Sequence, residues 1–149
     1  MEAVLARYPA MDIVVKAAAV SDYRSAGVAP HKLKKGNESL ELHLVPTEDI
    51  LDRLGKEKQK HQVLIGFAAE TENFVENARA KLLRKNLDLL VANDVSRDVF
   101  GSDDSAVHIL TPTDIPKTLD RQSKLSIAHQ VLDCAFSIWS ERRRRIADK

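Results

Sequence analysis

The 149-residue sequence has one cysteine, few aromatic side chains and no long apolar run. A single cysteine, Cys134, excludes an internal disulfide framework and a thiolate metal cluster, which is typical of proteins from a reducing compartment. No apolar run approaches the roughly 20 residues that a membrane-spanning helix needs. The first residues also lack the basic-then-apolar order of a signal peptide. We therefore expect a cytoplasmic protein with no membrane partner.

An excess of charge of either sign is also missing, because 23 Lys and Arg residues are balanced by 22 Asp and Glu residues. This balance gives no electrostatic case for a nucleic-acid partner. The composition itself, with 44% hydrophobic and 30% charged residues, is ordinary for a globular protein. The length predicts a single domain over residues 1–149.

Short apolar runs alternate with helical patterns along the chain. Three runs predict strands buried on both faces of a mostly parallel sheet, at residues 13–18, 63–69 and 87–92. Further strands are predicted at 40–44, where leucines alternate with polar residues, and at 106–110. Helices are predicted over 3–10, 48–58, 72–85 and 124–146, the second of them with Thr47 as its N-cap. Together these elements predict a Rossmann-like α/β fold with helices on both faces of the sheet.

Polar residues follow the predicted parallel strands, at the point where each strand ends. Asp22 comes after the first strand, Thr71 after the second and Asn93-Asp94 after the third. Open α/β sheets bind their ligands at the carboxyl ends of such strands. Asp22 and Asp94 are therefore candidates for holding Mg²⁺ through water, although both residue types are also common turn formers.

Four lysines are predicted to reach the same edge of the sheet. Lys32 and Lys34 belong to a long loop over residues 21–37 that we interpret as a lid, and Lys81 and Lys85 share a helix face. Clustered ammonium groups beside small residues favour a polyphosphate ligand, whereas lysines on a helix are more often a solvated face. No phosphate-binding loop motif is present. The residues alone therefore predict a nucleotide-like anion at the edge of a sheet.

Four linked motifs make the sequence similar to a known family. They are AAAVSDYR at 17–24, PHKLKK at 30–35, GFAAET at 66–71 and KLLRKNLDLLVANDV at 81–95. In this order they resemble the phosphopantothenoylcysteine synthetase domain of the bifunctional coenzyme A biosynthesis flavoprotein, over roughly residues 1–110. The resemblance implies ligation of 4′-phosphopantothenate to L-cysteine with CTP. CTP and the carboxylate first give an acyl-cytidylate and pyrophosphate, and cysteine then displaces CMP.

The resemblance also implies roles for individual residues. Ala18 matches a small position beside the acyl-cytidylate, and Lys32 matches a loop lysine that covers this intermediate and assists catalysis. Phe67 matches a wall for the cytosine ring. The remaining nucleotide-contacting positions carry a carboxylate or an ammonium group, or lie at the start of a helix. They are Asp22, Glu48, Asp49, Ile50, Leu51, Lys81 and Lys85. Members of the family form homodimers with sites built across the interface.

Two departures from the family pattern shape the prediction. The glycine-rich N-terminal portion of the family has no counterpart here, so we expect an N-terminally truncated domain with impaired activity. No flavin-binding half is present, and FMN is not implied. Glu48 also stands where many members have proline, and its carboxylate is unfavourable for a triphosphate. Two alternatives remain: a nucleotide-binding module without catalysis, and an ATP-using relative of the ligase.

Overall fold

The structure is a computed structural model that describes residues 1–34, 39–70, 74–94 and 102–148. It forms two compact units. The larger unit comprises Met1–Ala17 and Ile50–Lys149, and the smaller unit comprises Ala18–Asp49. In chain order the elements are α1 (Glu2–Leu5), a 3-10 turn (Tyr8–Ala10), β1 (Ile13–Lys16), β2 (Tyr23–Ser25), β3 (Leu44–Pro46), α2 (Ile50–Glu57), β4 (Val63–Glu70), α3 (Phe74–Arg84), β5 (Leu89–Asp94), β6 (Asp104–Leu110), β7 (Lys117–Ser123) and α4 (Lys124–Ala147).

The larger unit contains a five-stranded sheet in the order β1-β4-β5-β6-β7. β1, β4 and β5 are parallel, and β6 and β7 add two antiparallel strands beyond β5. The predicted α/β class with a parallel central sheet is confirmed, and the three doubly apolar runs form its parallel strands. β1 ends at Lys16, two residues before the predicted end, and β5 begins at Leu89, two residues after the predicted start.

Alternate residues of the strands build two separate cores, one on each face of the sheet. Leu64, Ala68 and Leu90 pack with residues of α2 and α3 on one face. Val63 and Ile65 belong to the other core, which includes the buried side of α4. Because successive side chains of a strand point to opposite faces, a run that is apolar at every position fits a sheet covered on both sides. Helices on both faces are therefore confirmed.

Two glycines of the larger unit allow close packing between elements. A Cβ atom at Gly55 would lie 1.9 Å from the backbone oxygen of Lys85, so only glycine lets α2 approach the end of α3 this closely. At Gly66 a Cβ atom would lie 2.9 Å from Leu51 Cδ1 and from Leu87 Cδ1. Gly66 therefore serves the packing of β4 in the core.

The smaller unit contains a two-stranded antiparallel sheet of β2 and β3. The predicted strand over residues 40–44 is wrong, because only Leu44 of this range is in β3, and β2 lies inside the segment predicted as a loop. Thr47 is not the N-cap of α2, since its backbone N–H donates to the Asp22 carbonyl at 2.8 Å and its hydroxyl donates to the Ser21 carbonyl. These two hydrogen bonds set the register between β2 and β3. The alternation of leucines over residues 40–44 does not.

β7 was not predicted from the sequence, in which Pro112 and Pro116 bound only a turn after the predicted strand at 106–110. Its seven residues bury a single large apolar side chain, Leu119, so the segment carries no clear periodic pattern. The pairing with β6 shifts between Ser105 and Val107, where β7 has one extra residue. Such bulges commonly lie beside functional sites, because they redirect neighbouring side chains.

Candidate functional site

The carboxyl ends of the parallel strands lie along one edge of the sheet in the larger unit. Lys16 at the end of β1 pairs with Gly66, while Glu70 and Asp94 end β4 and β5 opposite each other. The antiparallel strands bring the start of β6 and the end of β7 to this edge, and α4 begins there. We call it the carboxyl edge. It is the position predicted for a ligand.

A cavity of about 530 Å³ opens beside the carboxyl edge, between the sheet and the first half of α4. Most of its wall consists of apolar side chains from β1, β4, β5, β6 and α4. These residues are Val15, Ala17, Phe67, Val91, Val107, Ile127, Ala128, Val131 and Leu132. A concave, largely apolar cavity of this size with a few polar groups is typical of a small-molecule site.

Phe67 forms part of the wall of this cavity. It follows Val63 and Ile65 in the alternation of β4, which places its ring on the α4 face of the sheet. The ring is 42% exposed, although the strand around it is buried. An exposed aromatic ring in an otherwise buried strand provides a flat apolar surface for a ligand.

Three polar residues complete the cavity, namely Lys124, Asn93 and Ser105. Lys124 is the first residue of α4, and its backbone N–H donates to the Asp103 carbonyl at 2.9 Å. No carboxylate of the described residues lies within ion-pair distance of its ammonium group. The Ser105 hydroxyl donates to Asn93 Oδ1 at 3.4 Å, which leaves the Asn93 side-chain NH₂ as a further donor. Lys124 and Ser105 were missed by sequence analysis, because neither belongs to a recognisable motif.

Lys81 and Lys85 belong to the other face of the sheet. α3 packs through Ala78 and Leu82 on the core that lies on the face of the sheet opposite α4. Lys81 lines a shallow cavity of about 270 Å³ beside α3. α3 leads back toward the start of β5, so Lys85 lies near the amino ends of the parallel strands. Within the larger unit the structure therefore does not bring these two lysines to the face that carries Phe67.

Ile50 and Leu51, at the start of α2, contribute to the core. Leu51 is 4% exposed, and Ile50 packs against the same cluster. Their side chains are therefore occupied in packing, and only backbone N–H groups of this first turn are suited to an anion or a base edge.

The remaining predicted residues lie in the smaller unit. Ala18, Asp22, Lys32, Glu48 and Asp49 are all exposed there. Asp22 directly precedes β2, and its backbone carbonyl accepts the hydrogen bond from the Thr47 backbone N–H. Among the described contacts, neither the Asp22 carboxylate nor the Lys32 ammonium group has a hydrogen-bonding or ion-pair partner. Both groups are thus accessible to a ligand within their own unit.

A magnesium site is not assembled from the described side chains, because no three His, Cys, Asp or Glu groups among them are arranged to hold a metal ion. The side chain of Asp94, the predicted partner of Asp22, lies outside the described residues, as do Lys35 and Thr71. We therefore derive no catalytic step through a metal. In the part of the chain that the structure describes, every helix is too short or too polar to cross a membrane.

The opposite edge of the sheet, which we call the amino edge, carries a buried ion cluster that sequence analysis missed. Asp88 is 3% exposed and accepts hydrogen bonds from Lys58 Nζ at 2.9 Å, the Leu64 backbone N–H at 2.8 Å and the Arg142 guanidinium. Arg142 also donates to the Gln62 carbonyl. The cluster joins the start of β5 to β4, α4 and the segment after α2. A lone aspartate before a strand resembles an ordinary turn former, so no sequence signal marks it.

Tyr8 lies at the same edge. Its hydroxyl donates to the Leu54 carbonyl at 3.0 Å, and its backbone carbonyl accepts from Gln62 Nε2 at 2.7 Å. Burial raises the pKa of the Tyr8 phenol from 10.0 to about 12, with smaller contributions from the negative charges of Asp88 and Glu57. The phenol therefore remains a neutral hydrogen-bond donor at ordinary pH.

The family model of the DNA/pantothenate metabolism flavoprotein C-terminal domain matches residues 1–138 of the chain. The coenzyme A biosynthesis bifunctional protein CoaBC of Bacillus subtilis is 47% identical over 133 residues, which cover 88% of this chain and 32% of that protein. CoaBC of Escherichia coli K12 is 39% identical over 148 residues, which cover 96% of this chain and 36% of that protein. The chain thus spans about a third of the length of these curated relatives.

Among solved structures, the chain is similar to the C-terminal domain of a coenzyme A biosynthesis bifunctional protein CoaBC. The TM-score is 0.75 at 34% identity, and the match covers 94% of this chain and 61% of that structure. The similarity therefore extends over nearly all of the sequence and over the fold described above.

Proposed function

Because the chain belongs to the family of the DNA/pantothenate metabolism flavoprotein C-terminal domain, we propose that it acts as a phosphopantothenate–cysteine ligase in coenzyme A biosynthesis. The observation that carries this proposal is the 47% identity to CoaBC over 88% of the chain. The accessible cavity at the carboxyl edge supports it, since α/β sheets bind small molecules there.

The proposed reaction uses CTP to activate the carboxylate of 4′-phosphopantothenate. The carboxylate oxygen attacks the α-phosphorus of CTP, and pyrophosphate leaves with the electron pair of the broken P–O bond. The amine of L-cysteine then attacks the acyl carbon, loses a proton and displaces CMP. Mg²⁺ is proposed to accompany the nucleotide, where it would offset the charge of the phosphates.

Roles for the chain's own residues follow from their chemistry. By the resemblance we assign Lys32 to the acyl-cytidylate, and the positive charges of Lys81 and Lys85 to the phosphates, whose negative charge increases as pyrophosphate departs. Lys81 and Lys85 lie on the face of the sheet opposite Phe67, so this assignment is not supported by the arrangement within the larger unit. Phe67 offers its exposed ring to the cytosine, and the first N–H groups of α2 offer donors. Asp22 is proposed to bind the ribose or a base edge, and Ala18 leaves space for the acyl-cytidylate.

A homodimer is proposed because the smaller unit has no core of its own. None of its described residues is buried, and it exposes seven large hydrophobic side chains: Val20, Tyr23, Val28, Leu33, Leu40, Leu42 and Leu44. A two-stranded sheet with this much exposed apolar surface is marginally stable unless another surface covers it. A second copy of the smaller unit would bury the same side chains symmetrically.

The test is pyrophosphate release from the 149-residue protein supplied with 4′-phosphopantothenate, Mg²⁺ and either CTP or ATP. Release with CTP that exceeds release with ATP and depends on phosphopantothenate is the expected result. Faster release with ATP would identify an ATP-using ligase. Nucleotide binding without any release would identify a binding module without catalysis. The Lys32→Gln variant is expected to lose turnover more than CTP affinity, since Lys32 is assigned to the intermediate.

A further inference from the structure

We propose that a hollow at the amino edge, between the turn over residues 59–62 and the last part of α4, binds a diphosphate group through Lys60, Arg142 and Arg145. The site lies at the edge of the sheet opposite the cavity beside Phe67, and it goes beyond the proposed ligase function. Its ligand is an anion with two linked phosphate groups, supplied as inorganic pyrophosphate or as the diphosphate of a larger molecule.

Two basic segments that are distant in sequence meet at this hollow. Residues 56–60 contain three lysines, and residues 142–145 are four consecutive arginines. The Arg142 guanidinium donates to the Gln62 carbonyl, which brings the second segment against the first. The hollow between them has a volume of about 340 Å³. Its described lining contains no carboxylate and consists of Lys60, Arg142, Arg145 and Ile146.

The charges around the hollow do not cancel. In the ion cluster two cations, Lys58 and Arg142, share the single carboxylate of Asp88, which leaves one positive charge in excess. Lys60 and Arg145 have no hydrogen-bonding or ion-pair partner among the described contacts, so one charge from each makes three in total. Glu141 lines an adjoining cavity together with both arginines, and counting its carboxylate still leaves two positive charges. An anion with several negative charges is therefore favoured here.

The turn that carries Lys60 is held in place by a buried side chain. Gln62 is 0% exposed, and its Oε1 accepts from the Gln59 backbone N–H at 2.9 Å. Its Nε2 donates to two backbone carbonyls before β1, at 2.7 and 2.8 Å. The Gln62 backbone N–H also donates to the Gln59 carbonyl at 3.1 Å, which closes the turn. One wall of the hollow is thus formed before a ligand arrives, which lowers the entropic cost of binding.

The opposite wall offers two guanidinium groups from one side of α4. Arg145 lies three residues after Arg142, so the two side chains are neighbours on the helix surface. Arg142 is fixed by its bonds to Asp88 and to the Gln62 carbonyl, which occupy two of its five N–H groups and leave the others for a ligand. Guanidinium groups match phosphate oxygens in geometry, and the Lys60 ammonium group adds a compact charge. Two linked phosphates can reach all three cations, whereas a single phosphate reaches fewer.

Calorimetric titration of the 149-residue protein with inorganic pyrophosphate, without divalent metal and at about 0.15 M ionic strength, tests this inference. We expect a dissociation constant below about 1 mM. Arg145→Gln and Lys60→Gln should each weaken binding about fivefold or more, because each removes one charged donor. Arg144→Gln is the matched control, since it removes the same charge from the next exposed position of α4, which does not line the hollow. It should change the affinity less than about twofold.

Urea denaturation checks that these variants remain folded. The side chains of Lys60, Arg144 and Arg145 are all exposed, so the denaturation midpoints should match that of the unmodified protein. Equal weakening by Arg144→Gln and Arg145→Gln would overturn the inference, because it would show diffuse attraction to a basic surface. Absence of pyrophosphate binding would overturn it as well.

Lys81→Gln separates this inference from the proposed function. If Lys81→Gln weakens pyrophosphate binding and Arg145→Gln does not, pyrophosphate binds at the proposed nucleotide site and the inference at the amino edge is wrong. The ligase proposal is tested by pyrophosphate release, so each can fail without the other.

Titration with ADP distinguishes the two sources of the diphosphate group. A matching loss of ADP and pyrophosphate affinity in Arg145→Gln would support recognition of a diphosphate within a larger molecule. ADP affinity that Arg145→Gln leaves unchanged, together with weakened pyrophosphate binding, would support inorganic pyrophosphate as the ligand.

Discussion

The two edges of the central sheet differ in how their polar groups are used. At the amino edge, Asp88, Lys58, Arg142 and Gln62 bond to one another or to backbone groups and are largely withdrawn from solvent. At the carboxyl edge, Phe67 and Lys124 are exposed beside an open cavity. The ion cluster at the amino edge therefore stabilises the fold, while the carboxyl edge is left available for a ligand. Substitutions in the cluster should change stability, and substitutions at the carboxyl edge should change binding.

The largest effect is expected from Asp88→Ala. Removal of the carboxylate leaves Lys58 and Arg142 partly buried without their counter-ion and leaves the Leu64 N–H without its acceptor. The free energy of unfolding, measured by urea denaturation, should fall by about 3–5 kcal/mol. Asp120→Ala on the exposed side of β7 is the control and should change it by less than about 0.5 kcal/mol. A similar small change in Asp88→Ala would show that the cluster does not stabilise the amino edge.

Alkaline pH provides the next largest test, through Tyr8. Its pKa is 10.0 when unfolded and about 12 when folded, so ionisation favours the unfolded chain between these values. The stabilisation is fully present below pH 10 and is lost as pH rises through 12, by up to about 3 kcal/mol. Tyr8→Phe should remove this pH-dependent loss, which is measured as the difference between the two proteins from pH 9 to 12. Identical pH profiles would contradict the burial of a neutral phenol.

Gly55→Ala is expected to have a smaller effect at the same edge. The added methyl group would meet the Lys85 backbone oxygen, so α2 and the end of α3 must move apart. Overpacking of this kind typically costs about 1–3 kcal/mol of stability. Gly27→Ala is the control, since nothing lies within 4 Å of a Cβ atom there. Equal melting temperatures for the two variants would show that the helices are not in close contact at Gly55.

The smallest effect on stability is expected for Phe67→Ala at the carboxyl edge. The ring is exposed, so the free energy of unfolding should change by less than about 1 kcal/mol. CTP affinity should fall by roughly 5- to 150-fold, since stacking of a base on an aromatic ring contributes about 1–3 kcal/mol. A large loss of stability with unchanged affinity would reverse the contrast between the two edges.

The parallel part of the sheet was predictable because its strands come from runs that are apolar at nearly every position. β4 and β5 are covered on both faces, and this leaves a continuous apolar run in the sequence. The prediction that the first run is buried on both faces is wrong, because β1 is the last strand of the five-stranded order, none of its residues is buried and Val15 is 44% exposed. β7 left no such run, because most of its side chains face solvent and its pairing with β6 is irregular. β2 is only three residues long. Its pairing with β3 depends on backbone hydrogen bonds, which leave no pattern of apolar side chains in the sequence from which it could be predicted.

The candidate site was predictable to the extent that it follows from topology. Polar residues after the parallel strands made Asn93 a candidate, because the carboxyl ends of such strands share one edge, whereas Phe67 became a candidate only through the family resemblance. Lys124 was not identifiable, since its place in the cavity depends on β7, which returns the chain to this edge. Asp88 was missed because its partners are 24 to 54 residues distant in sequence.

α4 runs without interruption from Lys124, in the wall of the cavity, to Arg142, in the ion cluster at the opposite edge. At 1.5 Å per residue, this distance is about 27 Å along one rigid rod. Ile127, Val131 and Ala135 hold the helix on the sheet between these two points, so the ion cluster and the wall of the cavity belong to one continuously packed element.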